Sequence, residues 1–354
     1  MRTIDWDEDR DCVVMVDQTK LPAEYTTYHA ETVDDLVESI EVLRVRGAPA
    51  LGAAGAYGVA LAAHTTEADD YPSFVEAVRA EATRVANARP TAVNLAREVD
   101  ATLEVLGECD SVAEARERTL EAAQALADED VRRNRRLGEH GAGLLADGET
   151  VMTHCNAGAL ATVDWGTALG VVYSAQEAGK DVDVVANETR PLNQGSRITT
   201  VELMERDVDV TLIPDNAAGL SLQEGRVDAV VVGADRVVLD GGGPDGDQGV
   251  VFNKIGTYKH AVVADRHDVP FVVAAPHATV DTERSADEVE IEQRDPEELR
   301  EVYGTQNAPE DVPVYNPAFD RTPMELVDYL VTETGVYEPP LERADFVEPP
   351  TPEA

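Results

Sequence analysis

From residue 150 onward, short apolar runs rich in β-branched residues alternate with helix-like stretches, and that order leaves few folds open. Runs at 151–153, 182–185, 208–213, 229–232 and 271–274 read as strands, and segments at 159–178, 198–206, 217–223 and 255–267 read as helices. The strand runs do not alternate apolar with polar residues, so both faces of each strand are expected to be buried. A repeated β-α order with doubly buried strands predicts an α/β domain built on a Rossmann-like parallel sheet with helices on both sides.

The first part of the chain has a different periodicity. Residues 33–45 place Leu36, Ile40 and Leu43 on one helical stripe, which ends at Arg46-Gly47-Ala48-Pro49. Further helices are expected at 50–64, 74–88 and 91–106, followed by one long charged helix at about 111–145. The fold class is therefore α/β, with a C-terminal Rossmann-like parallel-sheet domain preceded by a smaller, mainly helical N-terminal domain. Its expected division is 1–125 for the helical domain with its linking helix, 126–340 for the Rossmann-like domain, and 341–354 for an acidic, proline-rich tail. The glycine-rich stretch at 241–249 reads as an insertion, since no helix follows it at phosphate-loop spacing.

Charge narrows the partners. The chain has 354 residues and a formal net charge of −41. Such a field repels nucleic-acid phosphates and anionic membranes, so neither is an expected partner. The acids are spread from Asp5 to Glu353, which favours a folded surface suited to high salt over a single acidic tail. At molar salt the screening length is about 3 Å, so most of that self-repulsion vanishes. Only four of the 29 basic residues are lysines, which makes Lys254 a stronger functional candidate than a lysine usually is. Three cysteines cannot all pair, and with no export signal a reduced cytoplasm is expected. The longest apolar run, 48–63, is too short to span a bilayer. The seven histidines show no metal-ligand spacing, so neither a metal nor another cofactor is expected.

In an open parallel sheet, ligands bind beyond the carboxyl ends of the strands. The residues following each predicted strand are His154-Cys155-Asn156, then Glu188-Thr189-Arg190-Pro191 with Gln194-Gly195, then Asp215-Asn216, Gly233-Ala234-Asp235 and, before the next helix, Asn253-Lys254. A thiol, acids, amides and cations at one edge suit a small anionic polyol. Cys155 reads either as a small hydrophobe or, in a strand-to-helix turn, as a thiol activated by backbone amides and a helix dipole. Asp235 reads as a helix cap, an ion-pair partner, or a carboxyl kept protonated by burial and used as an acid. Asn253 and Lys254 are surface polar residues or a phosphate seat at a helix N-terminus. Position alone does not decide whether Arg46 and Arg89 are exposed charges or site residues.

Several segments carry a resemblance: Met1-Arg2-Thr3-Ile4-Asp5-Trp6, Arg44-Val45-Arg46-Gly47-Ala48-Pro49, Ala88-Arg89-Pro90-Thr91-Ala92-Val93-Asn94-Leu95, Thr153-His154-Cys155-Asn156-Ala157-Gly158, Glu188-Thr189-Arg190-Pro191, Gly233-Ala234-Asp235-Arg236, Asn253-Lys254-Ile255-Gly256-Thr257 and Tyr315-Asn316-Pro317-Ala318-Phe319-Asp320. Across 1–337 the chain closely resembles the methylthioribose-1-phosphate isomerases of methionine salvage. Their superfamily also holds ribose-1,5-bisphosphate isomerases and the regulatory subunits of the exchange factor for translation initiation factor two. The resemblance implies an aldose–ketose isomerase that works as a homodimer on a sugar phosphate. It implies Cys155 and Asp235 as the catalytic pair, which the regulatory relatives generally lack. It further implies substrate contacts by Arg46, Gly47, Ala48, Arg89, Gln194, Asn253 and Lys254. Two departures stand out. Leu192-Asn193 occupies the place where relatives usually carry Trp-Leu, and Asn187 stands where they usually carry Asp.

Overall fold

The computed structural model describes residues 2–90, 92–240 and 249–346, and they fall into two compact units. Unit 1 comprises 1–134 with a returning segment, 157–166, and unit 2 comprises 135–156 with 167–354. The division thus lies at 134/135 rather than near 125. A continuous helix runs through both positions, so the sequence offers no break to read there.

Unit 1 opens with three short strands that its helical periodicity did not announce: β1 (Ile4–Asp7), β2 (Cys12–Val16) and β3 (Thr27–Ala30), paired antiparallel in that order. Helices follow as α1 (Val33–Glu41), α2 (Ala48–Thr65), α3 (Tyr71–Asn87), α4 (Val93–Glu104) and α5 (Val112–Ala142). A capping box starts α1: the Thr32 hydroxyl accepts from the Asp35 N–H while the Asp35 carboxylate accepts from the Thr32 N–H. In α2 every residue from Ala50 to Ala63 is buried, so this helix of Ala and Gly is the centre of the unit. Close approach explains its small residues. A Cβ at Gly55 would lie 2.6 Å from the Leu95 carbonyl oxygen, and one at Gly58 would lie 2.9 Å from Val85.

The expected helix at 159–178 is shorter in the structure. Residues 157–166 form a 3-10 turn (Ala159–Ala161) and a tight bend at Trp165 and Gly166, both with positive φ. Thr3 N–H donates to the Val163 carbonyl at 2.8 Å, Gln18 Nε2 to the Leu160 carbonyl at 2.7 Å, and Val163 N–H to the Asp130 carboxylate at 2.8 Å. These bonds hold the segment on unit 1, and helix resumes only at α6 (Ala168–Glu177).

In unit 2, β4 (Thr150–Thr153) precedes α6 and is followed by β5 (Asp183–Asn187), α7 (Thr200–Glu205), β6 (Val210–Ile213), α8 (Ala218–Gln223) and β7 (Ala229–Val232). Then come β8 (Arg236–Asp240), β9 (Val250–Lys254), α9 (Thr257–Arg266), β10 (Phe271–Ala274), β11 (Val280–Ser285), α10 (Glu297–Arg300), β12 (Glu301–Val302), β13 (Thr305–Gln306), β14 (Phe319–Pro323), β15 (Tyr329–Thr332) and β16 (Gly335–Tyr337). Among the described residues, seven strands form the main sheet in the order β16-β15-β10-β7-β4-β5-β6, parallel except for the β16 hairpin strand. Successive residues of β4 and β7 are buried regardless of which face they point to, as a sheet covered on both sides requires.

The chain starts at β4, moves outward through β5 and β6, then returns to lay β7 on the other side of β4. Strand order therefore reverses between β4 and β7, the place where open α/β sheets bind ligands. A second sheet, β11-β8-β9-β14, had no counterpart among the sequence expectations. Its β8 and β9 pair antiparallel across the glycine-rich insertion, of which 241–248 lie outside the described residues. Most of the expected 341–354 tail also lies outside them, although Phe346 is buried and its ring centroid is 4.8 Å from that of Tyr337.

Candidate active site

Cys155 and Asp235 follow the two strands that flank the reversal, β4 and β7, at the same end of adjacent parallel strands. Cys155 is half-buried and has φ +69°, a left-handed conformation that costs a non-glycine residue about 1–3 kcal/mol. Two buried hydroxyls meet its backbone. Cys155 N–H donates to Thr189 Oγ1 at 2.8 Å, and Thr199 Oγ1 donates to the Cys155 carbonyl at 2.7 Å. The thiol does not sit at the N-terminus of α6 as expected, because that helix begins only at Ala168.

The loop after β5 is built around the same point. Thr189 and Asn193 also have positive φ, at +64° and +57°. The Asp215 carboxylate accepts from Thr189 N–H and Arg190 N–H, both at 2.8 Å, which fixes the start of the loop. Gly195 lies against the Asn187 carbonyl so closely that a Cβ would sit 1.6 Å from that oxygen. Gln194 is buried and leads into a π-helical turn, Gly195–Thr199, a feature frequent at functional sites. Asn187 donates through Nδ2 to the Thr153 carbonyl at 2.9 Å, a bond that an ionised Asp at this position could not make.

Asp235 is exposed, so the expectation of a carboxyl kept protonated by burial is not met. Its N–H donates to the Phe252 carbonyl at 2.9 Å. Asn253 and Lys254 lie on β9 rather than in a loop at a helix N-terminus, because pairing with Asp320 and Phe319 of β14 claims these residues first. Both are buried. Asn253 Nδ2 donates to Thr257 Oγ1 at 3.0 Å. Lys254 Nζ donates to the Ala318 carbonyl at 3.0 Å and sits 4.6 Å above the Phe319 ring. Asp320 caps the start of α9 by accepting from Gly256 N–H and Tyr258 N–H. Burial raises its pKa to about 6, against those two donors and the nearby Lys259 and Lys254, which favour the ionised form.

His154 ties the parts together. Its Nε2 is 2.8 Å from the Ile255 carbonyl, and burial pushes its pKa down to about 4. The neutral ring therefore carries its proton on Nε2 and donates to Ile255. Gly256 makes room for it, since a Cβ there would lie 2.9 Å from His154 Nε2. Thus Cys155 neighbours a residue anchored at Ile255, while Asp235 is itself anchored at Phe252. Those two anchors stand three residues apart in the chain, with Asn253 and Lys254 between them.

The structure so brings Cys155, Asp235, Asn253 and Lys254 into one neighbourhood of unit 2, with Gln194 on the loop that holds Cys155. Arg46, Gly47, Ala48 and Arg89 belong to unit 1. Gly47 is the N-cap of α2 with φ +95°, and a Cβ would come within 2.0 Å of the Ala161 carbonyl oxygen, so glycine is required. Arg46 and Arg89 are half-buried, and Ala48 is exposed. Sequence reasoning missed the roles of Thr189, Thr199 and His154. The first and last lie inside motifs quoted above, but nothing in the sequence marks Thr199. Among the described residues no group of three His, Cys, Asp or Glu is placed to hold a metal ion, and no helix is long and apolar enough to cross a membrane.

A parallel sheet whose strand order reverses between β4 and β7 defines a Rossmann-like fold. The chain belongs to the initiation factor 2 subunit family, whose model matches residues 44–339. A putative methylthioribose-1-phosphate isomerase of Archaeoglobus fulgidus is 53% identical over 342 residues, 97% of each chain. The crystal structure of 5-methylthioribose 1-phosphate isomerase from Pyrococcus horikoshii is 40% identical, with a TM-score of 0.90 over 97% of this chain and 94% of that one. A further solved structure, named as the translation initiation factor eIF-2B subunit delta from A. fulgidus, is 53% identical, with a TM-score of 0.89 over 96% of both chains.

Proposed function

We propose that this chain is an aldose–ketose isomerase that converts 5-methylthio-α-D-ribose 1-phosphate to 5-methylthio-D-ribulose 1-phosphate in methionine salvage. The observation that carries the reading is the pair Cys155 and Asp235, each just after one of the two strands flanking the switch point, in a chain similar along nearly its whole length to proteins named for that activity.

A phosphate on C1 keeps the sugar ring from opening as a free aldose does. Asp235 protonates the ring oxygen as the C1–O bond breaks. Cys155, as thiolate, then removes the C2 proton to give an enol, its thiol returns a proton to C1, and the C2 hydroxyl passes its proton to the Asp235 carboxylate as the ketone forms. Lys254, Asn253, Gln194, Arg46, Gly47, Ala48 and Arg89 bind the substrate, and the buried ammonium of Lys254 is suited to the phosphate. A direct hydride shift from C2 to C1 is the alternative route. Deuterium from solvent appearing at C1 supports proton transfer, and its complete absence supports the shift.

Two observations favour other readings. Leu192-Asn193 removes the usual Trp from the loop beside Gln194, and two arginines, Arg190 and Arg197, line a nearby cavity of about 170 Å³. Ribose 1,5-bisphosphate would place a second phosphate at C5, although Glu298 and Glu301 in the same cavity oppose one. The eIF-2B name of one similar structure raises a regulatory subunit, a role that needs no thiol–carboxyl pair. Purified protein in high salt, given each sugar phosphate separately, decides: turnover of the methylthio substrate alone supports the first reading, and turnover of neither sinks both isomerases. The acidic surface fits a high-salt cytoplasm, and the working assembly is a homodimer.

A further inference from the structure

Thr189 and Thr199 come from different parts of the chain and end on the backbone of one residue. Both are fully buried. Thr189 Oγ1 accepts the Cys155 N–H at 2.8 Å and passes its own proton to the Asn187 carbonyl at 3.1 Å. Thr199 Oγ1 donates to the Cys155 carbonyl at 2.7 Å and accepts from Asn156 Nδ2 at 3.2 Å. Each hydroxyl has one proton, so both bonds have a fixed direction and neither threonine can turn away without stranding a buried group.

The residue they grip is in a conformation it would not choose. At φ +69°, Cys155 relaxes toward negative φ unless the surroundings over-determine it. Such a relaxation would swing the Cα–Cβ bond and carry the thiol away from its present direction. The two threonines hold the peptide groups on either side of that Cα, which is where the rotation would have to occur. Each is itself held. Thr189 N–H is bonded to the Asp215 carboxylate, and Thr199 closes the π-helical turn that starts beside Gln194, with Thr200 N–H donating to the Gly195 carbonyl.

We propose that Thr189 and Thr199 are positioning residues: their hydroxyls clamp both peptide groups of Cys155 and hold its thiol in the direction needed at the substrate C2. The proposal rests on Cys155 being the reacting thiol. Because Thr199 and Gln194 share one tight turn, a substrate contact at Gln194 and the anchor of the thiol move as a unit.

The test replaces each threonine by the isosteric valine and by serine, which keeps only the hydroxyl. In Thr189→Val and Thr199→Val, kcat falls about 10- to 100-fold, the scale of a small misplacement of a reacting group, with KM changed little. Thr189→Ser and Thr199→Ser stay within about threefold of the parent kcat, a rescue that mere packing would not give. In a Cys155→Ser background the valine changes cause no further loss, because both act through that residue. Folded valine variants with parent kcat overturn the proposal. If a valine chain does not fold, the serine variants decide alone, and a loss beyond about tenfold in either overturns it. Failure of the underlying reading has its own signature: Cys155→Ser then keeps full turnover whatever the threonines do.

Discussion

The interior of α2 and the edge of the sheet after β4 and β5 are both tightly packed, but by opposite means. In α2 pattern and packing agree with the fold: Ala is the best helix former, the apolar surface is buried all round, and close neighbours at Gly55 and Gly58 account for glycines that a helix otherwise disfavours. At the sheet edge local preference is overruled. Cys155, Thr189 and Asn193 all sit at positive φ, and buried hydroxyls, amides and an imidazole replace apolar contacts. One region is built for stability, and the other spends some of it on geometry. Substitutions should therefore separate them, moving stability in the first and rate in the second.

The largest separation is expected at the thiol and carboxyl. Cys155→Ser and Asp235→Asn each lower kcat by about 10²–10⁴, the usual range for acid–base groups, with the unfolding midpoint unchanged. Steady-state turnover and denaturant unfolding on the same preparations check this. Full activity in either variant removes that residue from the pair.

The comparison also explains what the sequence revealed. The doubly buried strands, the helical first part and the strand-end residues were legible because each rests on a pattern several residues long. The second sheet was not: Arg236–Asp240 follows β7 with no helix-like stretch between, and a glycine-rich stretch separates it from Val250–Lys254, so neither fits the β-α order. Asn253 and Lys254 were consequently expected in a loop, and their burial was unforeseen. Left-handed backbone at Cys155 was invisible for a further reason. Nothing in a Cys-Asn-Ala-Gly run requires positive φ, and the hydroxyl that bonds the Cys155 carbonyl comes from Thr199, 44 positions away. The return of 157–166 to unit 1 is likewise set by distant partners such as Thr3 and Asp130.

Asp320 extends the contrast to pH. Its folded pKa of about 6 lies above the ordinary 3.8, so the folded chain binds this proton more tightly than the unfolded one. The stabilisation is fully present below pH 3.8 and is lost as pH rises through 6, a change on the order of 2–3 kcal/mol. His154 runs the other way: its pKa is depressed from 6.5 to about 4, so its contribution is present above 6.5 and lost as pH falls through 4. Asp320→Asn removes the first effect alone. Relative to the parent, the variant should gain stability between pH 4 and 7, and parallel curves would show that Asp320 does not titrate as described.

Gly55→Ala probes the other region. Its Cβ would meet the Leu95 carbonyl at 2.6 Å and Val99 at 3.1 Å, neither a flexible side-chain end, so the helices must shift. Overpacking of this kind costs about 1–3 kcal/mol, read by denaturant unfolding. The kcat of the folded fraction should stay at the parent value, and a large loss of rate without loss of stability would reverse the comparison.

The smallest effect bears most directly on strain. Cys155→Ala and Cys155→Gly both delete the thiol and both abolish turnover, so any difference between them reports the backbone. Alanine keeps the steric clash of a Cβ at φ +69°, whereas glycine adopts that conformation freely. Elsewhere in a structured segment glycine is the less stable of the two by about 0.5–1 kcal/mol, through the greater freedom of its unfolded chain. Here the order should invert, with the glycine variant more stable by about 1 kcal/mol. Denaturant unfolding of the two inactive proteins resolves a difference of that size. If alanine is the more stable, the left-handed backbone stores no strain, and the two threonines would be packing against a conformation that needs no clamp.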